Sequence, residues 1–185
     1  MIVAGIVGIT ASAILVYDHN KIVQNPNYVP NCNLNPVIAC GSVLKSPEAS
    51  VFDFPNPYIG LVVFPMLLTT GIALTAGARL KRWYWLGLEA GAVFGVAFVH
   101  WLFYESVYRI HALCPYCMGV WLVTIPTFWY VTLYNIQAGH IKVAEDWKSF
   151  TNWLVKHHLD ILILWYLIII GLILNHFWYY YGHHL

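Results

Sequence analysis

Leu113-Cys114-Pro115-Tyr116-Cys117-Met118-Gly119-Val120-Trp121-Leu122 begins an apolar run that continues to Tyr134. A hydrocarbon core about 30 Å thick takes about 20 helical residues to cross at about 1.5 Å each, so this run is long enough to span a membrane. Four more such runs flank it, at residues 2–17, 58–78, 83–104 and 161–180, and Glu89 is the only formally charged side chain inside any of the five. The first run is short, starts beside Met1 and contains the small triplet Ala11-Ser12-Ala13, as a secretory signal does. No Lys or Arg precedes its apolar stretch, however, and a signal peptide needs that basic region, so the run reads as a membrane helix.

Composition agrees. The chain has 185 residues, 60% hydrophobic and 9% charged. An ordinary soluble domain carries about a quarter charged residues, so the expected fold class is an all-α integral membrane protein with five transmembrane helices. A net charge of +1, with no basic cluster beyond the turn at Arg79–Arg82, gives no reason to expect a nucleic-acid partner.

Basic residues set the expected orientation. With the N-terminus cytoplasmic, the inside connections hold Arg79, Lys81, Arg82, Lys142, Lys148 and Lys156, and the outside ones Lys21, Lys45 and Arg109. The excess inside favours this arrangement, which puts all four cysteines on the extracytoplasmic side of a cell membrane, where disulfide chemistry is permitted. The outside segment 18–57 is rich in Asn and Pro and reads as an ordered cap, with Val51-Phe52-Asp53-Phe54 as a membrane-interface anchor. The inside segment 137–158 mixes charges with Trp147, Phe150 and Trp153, as a helix lying along the membrane would. Aromatic clusters at Trp83-Tyr84-Trp85, Trp129-Tyr130 and residues 178–181 read as headgroup-level anchors. The whole chain, 1–185, reads as a single transmembrane domain.

The cysteines carry the chemistry. Cys32 and Cys40 lie in the cap, and Cys114 stands as N-cap of the fourth helix with Pro115 at its first position, where a missing N–H costs nothing. A helix N-terminus favours thiolate over thiol, and Cys117 follows about one turn deeper. Cys-Pro-Tyr-Cys is also a glutaredoxin tetrapeptide, but a 20-residue apolar helix cannot supply the βαβ surroundings of that fold. A four-thiolate zinc site is disfavoured because the gap between Cys32 and Cys40 exceeds the usual two to four residues. A static Cys32–Cys40 staple would stabilise the fold by about 2.6 kcal/mol on a chain-entropy estimate, which does not exclude it. The second cysteine pair at the same face favours exchange through a mixed disulfide over a staple. Four cysteines allow three pairings.

Four linked features give the chain a wider likeness: the loop pair Cys32 and Cys40, Ser46 six residues on, Asn56 just before the second helix, and Cys114-x-x-Cys117 opening the fourth. In this order the pattern resembles the vitamin K epoxide reductase family in its bacterial and archaeal form. Another group of four-helix quinone-linked oxidases carries its CxxC and its separated pair in the reverse order. The resemblance implies a four-helix bundle around a quinone site, with the fifth helix added to it. It implies a thiol–disulfide oxidoreductase in which Cys32 meets a thioredoxin-fold carrier, Cys40 exchanges with Cys114, and Cys117 stands next to a membrane quinone of the menaquinone, ubiquinone or vitamin K type. Asn56 would donate a hydrogen bond to a quinone carbonyl and Ser46 would order the cap. Trp121, one turn beyond Cys117, stands where vertebrate members place a quinone-contacting tyrosine, which weighs against epoxide as substrate; its indole N–H still offers a donor. Many bacterial members continue into a fused thioredoxin-like domain. This chain reaches His183-His184-Leu185 after its fifth helix, which implies a separate partner or a shortened chain.

Other residues offer less. His100 and His111 fall on the cysteine side but match no motif, and Glu89 reads as a polar contact inside the bundle. The rival readings are a membrane scaffold with two structural disulfides and a haem protein ligated by His100 and His176, although these two histidines show no obvious matching spacing.

Overall fold

A computed structural model of the chain describes residues 1–181, so the expected chain end at His183-His184-Leu185 lies outside the described residues. These residues are all-α: α1 Ile2–Gln24, α2 Cys40–Leu44, α3 Pro57–Thr75, α4 Arg82–Tyr104, α5 Pro115–Gln137, α6 Lys148–Lys156 and α7 His158–Tyr181. Short 3-10 turns at Pro47–Ser50 and Glu145–Trp147, and a π-helical stretch Glu105–Ile110 that prolongs α4, complete the set. Among the described residues five helices, α1, α3, α4, α5 and α7, are long and apolar enough to cross a membrane. The chain packs as two units: Met1–Arg79 with Val96–Thr127, and Leu80–Gly95 with the chain from Phe128 on.

In the first unit α1 lies against α3 through small residues. A methyl group at Gly5 would come within 2.8 Å of Leu68 Cα, and one at Gly8 would overlap the Phe64 ring. Without a hydrophobic drive between helices in lipid, such close backbone approach is what lets dispersion hold them together. The first helix does not end near Tyr17 as expected. It runs on to Gln24, because nothing between Asp18 and Gln24 breaks a helix and Asn25-Pro26 does. The extension brings a carboxylate, Asp18, into the helix and buries it.

The cap, now 25–56, is ordered by its asparagines. Asn35 Oδ1 accepts from the amides of Val37 and Ile38 at 2.9 and 2.7 Å, and Asn33 Oδ1 from that of Gly41 at 2.8 Å. Side-chain acceptors of this kind replace the ladder partners a loop lacks. Phe52 of the expected interface anchor turns to the Phe98 ring on α4, 5.9 Å away, with Phe54 on its other side at 6.1 Å.

The second unit carries its own polar cluster. Half-buried Glu89 on α4 accepts from Thr132 Oγ1 at 2.7 Å and from Asn135 Nδ2 at 3.0 Å, both on α5. Asn135, wholly buried, also donates to the Trp85 carbonyl and bonds His140 Nδ1 through its Oδ1. Two expected headgroup anchors are therefore corrected. Trp85 is buried against Tyr134, and buried Trp129 donates its indole N–H to the His158 carbonyl at 3.0 Å, so both rings pack within the protein. Trp83 and Trp178 do stand exposed. The amphipathic helix expected in 137–158 is α6, with Trp147, Phe150 and Trp153 exposed in a continuous ring series. Along α7 the apolar side chains Ile163, Leu164, Leu167 and Ile168 are exposed, as lipid-facing residues are.

Candidate functional site

Two backbone hydrogen bonds decide where the cysteines meet. Leu113 donates its N–H to the Val37 carbonyl at 2.7 Å, and its own carbonyl accepts from Ala39 N–H at 2.9 Å, forming an isolated parallel bridge between Ile38 and Leu113. The next residue after Ala39 is Cys40 and the next after Leu113 is Cys114, so the bridge delivers both cysteines side by side. Each then opens a helix, Cys40 at the first position of α2 and Cys114 immediately before α5.

The sulfur geometry follows from that register. Cys32 and Cys40 form a disulfide with Cα atoms 5.6 Å apart, and Cys114 and Cys117 are free thiols. Cys114 Sγ lies 3.4 Å from Cys40 Sγ, and both residues are wholly buried. Leu15, Ile22 and Leu44 pack around the sulfurs, with Tyr28, Val43 and Tyr116 at the edge, which keeps water away from the exchange centre. Cys117 N–H points at Cys114 Sγ from 3.4 Å, and Met118 N–H bonds the Cys114 carbonyl at 2.9 Å, as at a capped helix start. A hydrogen bond from the Cys117 thiol, joined by the amides of Cys117 and Tyr116, holds the Cys114 thiol below the ordinary cysteine range; burial and the Asp18 carboxylate pull the other way. The resulting thiolate character, at contact distance from a disulfide sulfur, is the requirement for thiol–disulfide exchange.

Sequence reasoning missed Asp18. It lies 14 residues before Cys32, yet Asp18 Oδ2 sits 4.0 Å from Cys32 Sγ while Oδ1 accepts from the Tyr28 hydroxyl at 3.0 Å. That bond holds the Tyr28 phenol above its ordinary range, and burial adds to the effect. The one available signal was the absence of a helix breaker between Tyr17 and Asn25, which carries the helix past Asp18.

The remaining expected residues take these positions. Asn56 is buried at the start of α3; its Nδ2 donates to the Glu48 carbonyl at 2.7 Å and its Oδ1 accepts from Val51 N–H at 3.2 Å. The amide carries a second hydrogen that these contacts do not use. Ser46 Oγ donates to the Val43 carbonyl at 2.9 Å and its carbonyl accepts from Ala49 N–H, joining α2 to the following 3-10 turn. Trp121 is buried edge-on to Phe103, ring centroids 5.4 Å apart. His100 Nδ1 contacts the Val96 carbonyl, and His111 adopts a left-handed backbone where the π-helical stretch ends.

On α5, residues 117, 121 and 124 follow at steps of four and three, the spacing of one helix face. Cys117 is partly exposed on that face and Trp121 is buried, while Thr124 Oγ1 is buried with no hydrogen-bond partner. An orphaned hydroxyl, a broad aromatic and a thiol along one face suit a flat ligand with a carbonyl, which a quinone is. Residues 1–132 of the chain match the model of the vitamin K epoxide reductase family. No curated protein matches the chain.

Proposed function

The chain belongs to the vitamin K epoxide reductase family, a membrane oxidoreductase family, and from that premise we propose that it passes electrons from a dithiol carrier to a membrane quinone and so supports disulfide formation. The observation that carries this reading is the 3.4 Å approach of Cys114 Sγ to Cys40 Sγ. A separate thioredoxin-fold carrier on the extracytoplasmic side, with the chain's N-terminus in the cytoplasm, reduces Cys32–Cys40: one carrier thiol attacks Cys32 and releases Cys40, and the second carrier thiol then breaks that mixed disulfide, freeing Cys32 and leaving the carrier oxidised. The freed Cys40 thiolate attacks Cys114 of a Cys114–Cys117 disulfide, forming the Cys40–Cys114 bond and releasing Cys117 as thiolate. Cys32 then attacks Cys40, which restores Cys32–Cys40 and leaves Cys114 and Cys117 reduced.

A quinone supplies the sink for two electrons and two protons; Cys117 would face it, with Trp121, Thr124 and the spare amide hydrogen of Asn56 as the residues that hold it. Ser46 keeps the cap closed over the sulfurs. Because about 30 mV corresponds to about 1.4 kcal/mol for a two-electron couple, a modestly more oxidising acceptor is enough to drive the sequence. Residues 1–185 act as a single transmembrane domain on this reading.

The test is quinone absorbance in detergent-purified protein given a soluble dithiol and a short-chain naphthoquinone. Quinone loss in wild type that vanishes in Cys117→Ala is the expected result. Folded wild-type protein that consumes no quinone would overturn the proposal in favour of a scaffold with structural disulfides.

A further inference from the structure

Asp18 is 5% exposed, and its two oxygens are treated unequally. Oδ1 has the Tyr28 hydroxyl at 3.0 Å, whereas Oδ2 faces Cys32 Sγ at 4.0 Å, a sulfur that has no hydrogen to give while it is in the disulfide. The distance is within reach of a thiol's hydrogen bond, so the second donor exists only when Cys32 is reduced. A buried carboxylate needs donors to replace lost water. Here one donor is permanent and the other arrives with one redox state of the site.

We infer that Asp18 is a catalytic residue of the relay, the base that takes the proton of Cys32 when Cys32 closes on Cys40. The inference deepens the relay reading and rests on it. In the step, the Cys32 S–H bond breaks and its proton goes to Asp18 Oδ2. The Cys32 sulfur bonds Cys40 Sγ, the Cys40–Cys114 bond breaks, and its electron pair leaves on Cys114 as thiolate. The exchange is redox-neutral, and the proton later returns to water.

A second observation supports the coupling. The charge of Asp18 disfavours the Cys114 thiolate, which the Cys117 thiol and the amides at the start of α5 favour. Protonating Asp18 removes that opposing charge in the same step that makes the thiolate. Tyr28 and Cys32 face Asp18, its charge reaches Cys114, and Tyr17 and His19 flank it in the chain.

The experiment mixes fully reduced, detergent-purified protein with a short-chain naphthoquinone, quenches with acid, alkylates, and follows each disulfide by mass spectrometry. In wild type the Cys40–Cys114 species is transient. In Asp18→Asn its conversion to Cys32–Cys40 slows at pH 7, by up to about 30-fold, since without a base the exchange depends on the about 3% of a thiol of ordinary pKa about 8.5 that is ionised there. The rate in that variant climbs about tenfold per pH unit toward that value, wild type varies much less, and Asp18→Glu recovers most of the rate. An Asp18→Asn protein that resolves Cys40–Cys114 at the wild-type rate and pH slope overturns the inference while leaving the relay intact. Wild type that forms no Cys40–Cys114 species and consumes no quinone overturns the relay itself and the inference with it. Should Asp18→Asn fail to fold, Tyr28→Phe decides: it keeps the carboxylate and loses its orienting hydroxyl, so slowed resolution supports the role of Asp18 and unchanged resolution overturns it.

Discussion

Asp18 and Glu89 are both carboxylates on membrane-length helices, and they are satisfied in opposite ways. Glu89 accepts from Thr132 Oγ1 and Asn135 Nδ2, donors whose hydrogens are always present, and Asn135 is itself tied to the Trp85 carbonyl and His140. Asp18 has one such donor, Tyr28, and turns its other oxygen to a sulfur whose hydrogen comes and goes with the redox state. A carboxylate with a full set of fixed donors holds two helices in register. One with a variable donor gains and loses a partner as the chemistry proceeds, so the unsatisfied oxygen, more than burial or charge, separates a working group from a fastening.

The largest effect should come from the relay that the Asp18 half of that contrast serves. Cys114→Ser removes the atom 3.4 Å from Cys40 and should abolish dithiol-dependent quinone reduction, while the Cys32–Cys40 disulfide still forms and the thermal midpoint barely moves. Retained turnover would mean that Cys40 communicates with the quinone by another route. Glu89→Ala should do the reverse. It removes the carboxylate that Thr132 and Asn135 share, leaving them the Phe128 and Trp85 carbonyls, and should cost about 1–2 kcal/mol of stability, read as detergent or thermal resistance, with the quinone rate per folded molecule within about twofold of wild type. A large drop in that rate would erase the distinction between the two carboxylates.

A finer probe uses the pH dependence of Cys114. Its thiol is held low first by the Cys117 thiol and then by the amides at the helix start. Cys117→Ala deletes the first of these, so the rate of Cys114 alkylation by a small haloacetamide should rise toward its plateau at higher pH than in Cys117→Ser, which keeps a donor. Identical profiles would show that the amides alone hold the thiolate.

The two carboxylates also differ in how readable they were. Glu89 stood out because it interrupts an apolar run, and an ionisable residue there must find partners. The spans and the CxxC at the mouth of the fourth were legible for the same reason: about 20 apolar residues and a helix-starting Cys-Pro have few alternative meanings. Asp18 was invisible because polar residues after Tyr17 look like a loop when hydropathy alone marks helix ends, although the helix in fact stops only at Asn25-Pro26. The Ile38–Leu113 bridge was also hidden, since a two-residue pairing across 75 positions of chain leaves no periodicity to detect. Trp85 and Trp129 misled because a Trp near a helix end suits both a headgroup layer and a packed polar cluster, and only their partners Asn135, Tyr134 and His158 tell the two apart.

The smallest expected effect tests whether Asp18 keeps its charge when its sulfur partner offers no hydrogen. The Tyr28 phenol is raised chiefly by its hydrogen bond to Asp18, because ionising the phenol would break that bond and set two negative charges together. Spectroscopic titration should therefore find Tyr28 among the tyrosines ionising above the usual value of about 10, and Asp18→Asn should remove one tyrosine from that high-pH group. The sign for stability follows: a group whose pKa is raised on folding contributes fully below its unfolded value and loses the contribution as pH rises through the folded one. The small deficit in thermal midpoint of Tyr28→Phe should hold up to about pH 10 and fade above it. A deficit that instead fades on acidification would place the important proton on Asp18 even with Cys32–Cys40 closed, and the carboxylate would then be a resting hydrogen-bond donor, closer in kind to the fixed partners of Glu89 than to a base.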